Sequence, residues 1–353
     1  MLKSVQMAFK PVFSITPKLT NLLSEIAVCR HKILALKVLP QREIGLIKSA
    51  RLRMIHSSTA IEGNLLDLKE VEAVLAGKKP AEAEHDDILE VINYEKVLKF
   101  IDGMDKKSRI DWEKTVLKIH QLTTAKLLPK KDSGHYRQGP VYIIQRPLNK
   151  IIYTAPDFKK VPRLMTDLYS WLESEASQNL SPVIVAAITH HQFVTIHPFI
   201  DGNGRTARSW ATLVLYYRGF DVKKLFALED YYNLDRGGYY EAIRRVRQEK
   251  NFTSWLEYFA QGFLQELQQV LEKMELFSLE TKTKQAPIYL SRRQRDILEF
   301  MAINHKIFRS DVVDIASVSP KTAYRELEWL NQKGLIKRKG RGPGSHYVLA
   351  EKL

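Results

Sequence analysis

The sequence predicts a mainly α-helical protein with one β-hairpin among its helices and a winged helix-turn-helix at its C-terminal end. Three observations predict this. Apolar residues recur at three- and four-residue spacing along most of the chain, the period of an amphipathic helix. Val141–Thr154 breaks that rhythm with two β-prone runs around Pro147-Leu-Asn-Lys150, a hairpin signal. Beyond a polar stretch near residue 285, three helical patterns are followed by two short β-prone segments.

The helical period runs through Leu19–Val38, Ile44–Ile61, Ile88–Phe100, Trp112–Leu128, Val161–Glu173, Val183–Phe193, Arg205–Tyr217 and Trp255–Phe277. Pro182 suits the first turn of its helix, with Ser181 before it as cap. A lone hairpin is marginally stable, so Val141–Thr154 should lean on the helices or await a partner strand. Thr281-Lys-Thr-Lys-Gln-Ala-Pro287 is polar, ends in proline and reads as a linker. After it come helices over Arg292–Asn304, Arg309–Ile315 and Pro320–Lys333, then β-prone Leu335–Lys339 and Ser345–Leu349, joined by Gly340-Arg-Gly-Pro-Gly344. The expected domains are an N-terminal helical region (1–87), a central domain (88–280) and the winged helix (288–353).

Lys and Arg number 55 against 40 Asp and Glu, a net charge of +15 over 353 residues. Such an excess favours nucleic acid, nucleotide phosphates or acidic protein faces as partners. Cys29 is the only cysteine, which excludes an intramolecular disulfide and a thiolate metal cluster and fits a reducing compartment. There is no signal-peptide pattern at Met1–Leu23 and no apolar run approaching the ~18 residues of a membrane helix. The expectation is a cytoplasmic protein with no membrane partner.

The chemistry concentrates in His197-Pro-Phe-Ile-Asp-Gly-Asn-Gly-Arg-Thr-Ala-Arg208. Gly202, Asn203 and Gly204 permit a tight turn, and a helix begins at once. Its free N–H groups and dipole make an anion site suited to a diphosphate. Arg205 and Arg208 lie three apart, share a helix face and can reach phosphate oxygens. Asp201 is a carboxylate able to hold Mg²⁺, which binds few protein oxygens beside phosphate and water. His197 can take a proton near neutral pH. His190 and His191 are expected to be structural. A base, a metal carboxylate, a phosphate nest and two guanidiniums within twelve residues describe phosphoryl or nucleotidyl transfer.

That stretch resembles the active-site motif of the Fic family at every defining position. Gly134-His-Tyr-Arg137 resembles the element before the Fic flap, and Tyr239-Tyr240 with Trp255 resembles the aromatic pattern downstream. The similarity runs over roughly Ile88–Phe277. It implies a protein adenylyltransferase using ATP and Mg²⁺, with His197 as general base and Asp201 as metal ligand. Gly202, Asn203 and Gly204 would stabilise the α-phosphate charge, and Arg205 and Arg208 would grip the β- and γ-phosphates. Phe199 would anchor the loop in the core. The hairpin, through Tyr142, Ile143, Ile144, Ile151, Ile152 and Tyr153, would be a flap that adds the target segment as a strand. Tyr239 or Tyr240 could stack on adenine. The relatives that act as kinases carry a lysine in this stretch; its absence favours AMP transfer. The resemblance also implies a protein target with a hydroxyl side chain, self or other, and a homodimer.

Ser58-Thr-Ala-Ile-Glu-Gly63 resembles the inhibitory motif of Fic proteins. Ser58 and Glu62 share a helix face, and Glu62 could occupy Arg208 as a carboxylate–guanidinium pair. Taken alone, the same residues read as an ordinary helix end closed by Gly63 and Asn64. In the last domain Lys321, Thr322, Tyr324 and Arg325 open the candidate recognition helix, and Lys337, Arg338, Lys339 and Arg341 form a basic wing. Glu326 and Glu328 dilute that face, so DNA binding and protein docking stand side by side. Two other whole-protein readings remain: a nucleotide-sensing DNA-binding regulator, and a transferase of another phosphate-linked group.

Overall fold

In the computed structural model, residues 9–105, 108–145, 150–284, 290–304, 306–340 and 342–350 are described. In chain order the helices are α1 (Pro17–Ala35), α2 (Pro40–Ile61), α3 (Leu68–Leu75), α4 (His85–Asp102), α5 (Trp112–Thr123), α6 (Val161–Leu172), α7 (Glu175–Gln178), α8 (Pro182–Ile196), α9 (Asn203–Tyr217), α10 (Leu228–Leu234), α11 (Arg236–Glu249), α12 (Thr253–Lys284), α13 (Arg292–Asn304), α14 (Arg309–Ala316) and α15 (Pro320–Gln332). Two antiparallel hairpins accompany them: β1 (Tyr142–Gln145) with β2 (Lys150–Thr154), and β3 (Ile336–Lys339) with β4 (His346–Leu349). No described helix is long and apolar enough to cross a membrane.

The chain packs as two compact units. One comprises Met1–Ala27, Leu52–Asp221 and Ala227–Glu266; the other comprises Val28–Arg51, Val222–Phe226 and Leu267–Leu353. This grouping does not follow the sequence boundaries 1–87, 88–280 and 288–353. It places the segment carrying Ser58 and Glu62 in the same unit as the 197–208 loop.

At the centre of the first unit lies α8. Val183-Ile-Val-Ala-Ala-Ile188 is apolar on every side, and a helix apolar all round must be enclosed. Pro182 occupies its first turn after Ser181, as the sequence predicts, although the Ser181 hydroxyl makes no capping bond. Phe193 on α8 packs edge-on against Trp210 of α9, and Trp210 meets Trp112 of α5 and Tyr169 of α6. These aromatics bind four helices to one core and leave the α8–α9 loop at its rim.

Three differences from the sequence expectation have local causes. Helix α5 ends at Thr123, short of Leu128, because Thr123 and Thr124 turn their hydroxyls onto backbone carbonyls and Lys126 adopts φ 65°. Helices α3, α10 and α11 escape the pattern because they are short or polar; α3 is marked instead by an Asp67/Glu70 capping box. Helix α12 runs through Lys284 into the expected linker, since polarity does not stop a helix and no Gly or Pro stands between Gly262 and Pro287. Residues 285–289 lie outside the described residues, as does most of the Pro147–Lys150 turn.

In the second unit α13 packs on β4 and α15 on β3, α14 packs against both helices, and Ile307 pairs with Tyr347 beside the hairpin. Ile297, Met301, Val312, Ala323, Leu327 and Leu330 fill its core. Pro320 takes the first turn of α15 behind Ser319, whose hydroxyl accepts from the Thr322 N–H at 3.2 Å.

Candidate active site

Helix α8 ends at His197, which sits in the left-handed region (φ 52°, ψ 60°), uncommon for a residue with a side chain. Its N–H bonds Phe193 O at 2.8 Å, and its Nδ1 lies 3.3 Å from Val194 O. A carbonyl only accepts, so Nδ1 carries the proton and Nε2 keeps a lone pair. Burial lowers the His197 pKa to about 4; Arg247 and Arg137 act in the same sense, while Val194 and Glu62 oppose it. The imidazole is therefore a neutral acceptor throughout the physiological range.

Arg137 holds the loop against the hairpin. Its backbone N–H donates to Pro198 O at 2.9 Å, and its side chain donates to His197 O, to Gly139 O and to Pro156 O. One guanidinium thus ties the residue after α8 to both roots of β1–β2. Tyr153 on β2 donates to Thr195 O at 2.6 Å under the Arg247 guanidinium. The strands pair Tyr142 with Thr154 and Ile143 with Tyr153, with an irregularity before Ile144. Tyr142, Ile151 and Ile152 are about half exposed, a free apolar surface on this hairpin.

Phe199 is fully buried, as expected of an anchor. Its ring stacks on His120 at 3.6 Å, a contact the sequence does not announce. His120 donates from Nε2 to Asp201 O at 3.0 Å and accepts the Gly134 N–H on Nδ1 at 2.9 Å, which settles its tautomer. Burial lowers its pKa to about 4 as well.

The turn into α9 demands its glycines. Gly202 has φ 73°, and a Cβ there would lie 2.8 Å from Thr124 Cγ2. Thr206 N–H to Gly202 O, at 3.0 Å, is the first bond of the helix, so the amides of Asn203, Gly204 and Arg205 precede the ladder. Their position at the helix start is the one the sequence expects of donors to an anion. The Asn203 side chain is a correction. It is buried and bonded at both ends to the Phe199 backbone (3.0 and 2.9 Å), so it braces the loop and is not free to stabilise a phosphate.

Arg205 is a second correction. It is buried and donates to Glu90 of α4, with Asp201 Oδ2 3.4 Å away on the other side. Glu90 also accepts from Asn64 at 3.0 Å, so it joins α9 to the segment after α2. Burial raises the Glu90 pKa, with Arg205 opposing. In a sequence where acids are common on helices, nothing singles out Glu90.

Arg208 meets Ser58 and Glu62. It donates from Nε to Ser58 Oγ at 2.9 Å and from Nη2 to Ser58 O at 2.7 Å and Glu62 Oε1 at 2.8 Å. Burial works against the Glu62 carboxylate, but Arg208 and Arg205 outweigh it and lower its pKa. The Glu62 side chain keeps 31% of its surface, so water partly screens the pair. Gly204 makes room for it: a Cβ there would stand 2.1 Å from Glu62 Oε1. Gly63 closes α2 with φ 109°, as the helix-end reading expects, and the Arg208 pairing is made from that same helix end.

Tyr239 is a third correction. It is buried at 1% exposure, stacked on Tyr232 and bonded to His190 Nε2 at 3.1 Å, so it is core and cannot receive a base. Tyr240 is half exposed and donates to Ile61 O at 3.3 Å, beside Glu62. His190 and His191 are buried structural groups, the latter bonded to Ile243 O at 3.0 Å.

Residues 109–215, which hold this loop, its bracing histidine and the hairpin, match the model of the Fic/DOC family. They form a Fic domain. The chain is 30% identical over 207 residues to a protein adenylyltransferase Fic of Nematostella vectensis, covering 57% of this chain and 45% of that one. It is 29% identical over 174 residues to its Drosophila mojavensis namesake, covering 49% and 33%. This chain thus spans less than half the length of these relatives. A crystal structure of a Fic family protein from Desulfovibrio desulfuricans G20 superposes with TM-score 0.65 at 26% identity, over 98% of this chain and 99% of that one. Fic-1 of C. elegans (residues 134–508) shares the fold, with TM-score 0.60 over 73% of each chain.

Within this Fic domain, burial makes the histidines a pH-dependent liability. His120 and His197 have pKa values of about 4, and His191 of about 3. All are neutral when folded and near ~6.5 when unfolded. The unfolded chain then binds more protons below ~6.5, so stability falls as pH drops from there toward 4, by up to roughly 1.4 kcal/mol per pH unit per histidine. Urea midpoints at pH 7.5, 6 and 5 should decline in that order; equal midpoints would refute this assignment.

Proposed function

We propose that the chain transfers AMP from ATP to a hydroxyl side chain of a protein, another or itself, and that Glu62 restrains it. The observation that carries this is a neutral His197, with Nε2 unprotonated, at the head of the loop that leads into the first-turn amides of α9, while Arg208 is held by Ser58 and Glu62. The target oxygen gives its proton to Nε2 and bonds to the α-phosphorus. The bond from that phosphorus to the bridging oxygen breaks, and pyrophosphate leaves. The Gly204 and Arg205 amides meet the developing charge. Arg208 is the phosphate ligand that the restraint withholds, and Arg205 keeps Glu90.

Mg²⁺ fits at Asp201, whose side chain is 61% exposed. Among the described residues no three metal-capable side chains cluster, so the other ligands would be phosphate oxygens and water, the set this ion favours. When bound, it would neutralise phosphate charge. The half-exposed strand residues Tyr142, Ile151 and Ile152 support the hairpin as the docking edge for a target segment, and half-exposed Tyr240 is the candidate for the base.

ATP labelled separately at the α- and γ-phosphates tests the proposal, with Mg²⁺ and the full chain. Label on protein from the α-position, but not from the γ-position, is the expected result. Transfer from γ would mean a kinase, and absence of both, with Glu62→Gly included, would favour a sensor.

A second reading concerns the other unit, as a DNA-binding winged helix. Glu326 bonds Arg293 at 3.0 Å and Gln294 at 2.8 Å, and Glu328 accepts from Tyr347 at 3.1 Å. The acids of α15 are thus engaged, while Lys321, Tyr324, Arg325, Lys337, Arg338 and Lys339 are exposed and Thr322 is half-buried. Arg341 lies outside the described residues. Duplex DNA should be retained in a gel shift at low salt and released as salt rises, more readily with Arg325→Glu; no shift at low salt would discard the reading.

A further inference from the structure

Helix α2 and the turn that follows it present Ser58 and Glu62 to Arg208, yet the helix is fastened at a second place, before either residue. Arg53 and Ser57 are four apart and share a face. Arg53 Nη2 donates to Glu266 Oε1 of α12 at 2.6 Å, and its Nη1 reaches Glu266 Oε2 at 3.3 Å and Asp230 Oδ2 of α10 at 2.5 Å. The Ser57 hydroxyl donates to the other Asp230 oxygen at 2.5 Å. Glu266 also accepts the Ala227 N–H at 2.9 Å, which ties in the entry to α10. Two carboxylates from two helices grip one guanidinium and one hydroxyl on successive turns of α2.

The two attachments differ in kind. At Arg53 the ion pairs are largely shielded: side-chain exposures are 18% for Arg53, 22% for Asp230 and 3% for Glu266. At Glu62 the helix is ending. Its N–H bonds only Thr59 O, three residues back, Gly63 turns away, and its carboxylate is partly wet. A helix turns about 100° per residue and rises about 1.5 Å, so one residue of slippage at Ser57 would swing Glu62 off Arg208. The buried attachment sets the register that the exposed contact needs.

We propose that Arg53, Ser57, Asp230 and Glu266 are positioning residues for Glu62. They hold α2 in the rotation at which Glu62 and Ser58 engage Arg208, so loosening them relieves restraint from a distance. This rests on the proposed inhibitory role of Glu62. None of the four bonds the 197–208 loop.

The test measures α-phosphate label transferred by the full-length wild type, Asp230→Asn, Glu62→Gly and the double variant. Asp230→Asn keeps the side-chain shape and leaves Arg53 paired with Glu266. Its expected effect is a several-fold rise over wild type, with no further rise in the Glu62→Gly background. A merely structural role would instead lower transfer in both backgrounds, and that overturns the proposal. If Glu62→Gly raises transfer and Asp230→Asn does not, the positioning role alone fails. If Glu62→Gly leaves transfer unchanged, the inhibitory reading fails and this proposal with it. Ser57→Ala, which deletes one hydroxyl, carries the same test should Asp230→Asn not fold.

Discussion

Replacing Glu62 with glycine should raise AMP transfer by on the order of tenfold or more, the change that about 1.4 kcal/mol of barrier produces. The reason is the geometry around Arg208. Arg208 is 2% exposed, and its guanidinium is already bonded to Ser58 and Glu62. A phosphate can use that guanidinium only by displacing the carboxylate 2.8 Å away, and the carboxylate also fills the space above Gly204. Glycine removes both obstacles and leaves Ser58 to hold Nε. The backbone permits it, since residue 62 is the last before the positive-φ Gly63. Initial rates of α-label incorporation check this, with ATP affinity measured alongside. Equal rates in the two proteins would remove Glu62 from any inhibitory role.

Replacing His197 with alanine should lower transfer by roughly 10²- to 10⁴-fold, the usual contribution of a positioned general base. Affinity for ATP should change little. Among the described residues the imidazole ring bonds the Val194 carbonyl, whereas the proposed phosphate donors lie on α9. The substitution is best made in the Glu62→Gly background, where the rate is high enough to measure such a loss. Residual transfer within a few-fold of the parent would show that another group takes the proton. A pKa of about 4 leaves the ring neutral at pH 6 and above, which adds a signature: through this group, activity should not fall between pH 8 and 6.

How much of this was legible in the sequence depends on the kind of contact. The helical core announces itself because α8 and α9 carry long apolar patterns, and the hairpin because β-prone residues interrupt a helical period. The 197–208 loop was legible as a unit because its donors are consecutive and its glycines are required by local geometry. Ser58 and Glu62 were legible only through their resemblance to an inhibitory motif. Partners distant in sequence were not. His120 under Phe199 and Glu90 against Arg205 lie 79 and 115 residues away along the chain. Tyr239 misled for the opposite reason: an aromatic near a site looks like a base platform until its neighbours Tyr232 and His190 are seen to enclose it.

The sequence by itself determined the helical class, the inserted hairpin, the glycine turn at 202–204 and the residue types a phosphate-transfer site requires. Those follow from local rules: periodicity, φ preferences and the chemistry of neighbouring side chains. Only the tertiary structure decided which of those side chains are free to act. Asn203 is used as a brace, Arg205 is paired with Glu90, and Arg208 is paired with Glu62. The physical reason is that a buried polar group must find a partner, and the identity of that partner depends on which distant helix packs against it.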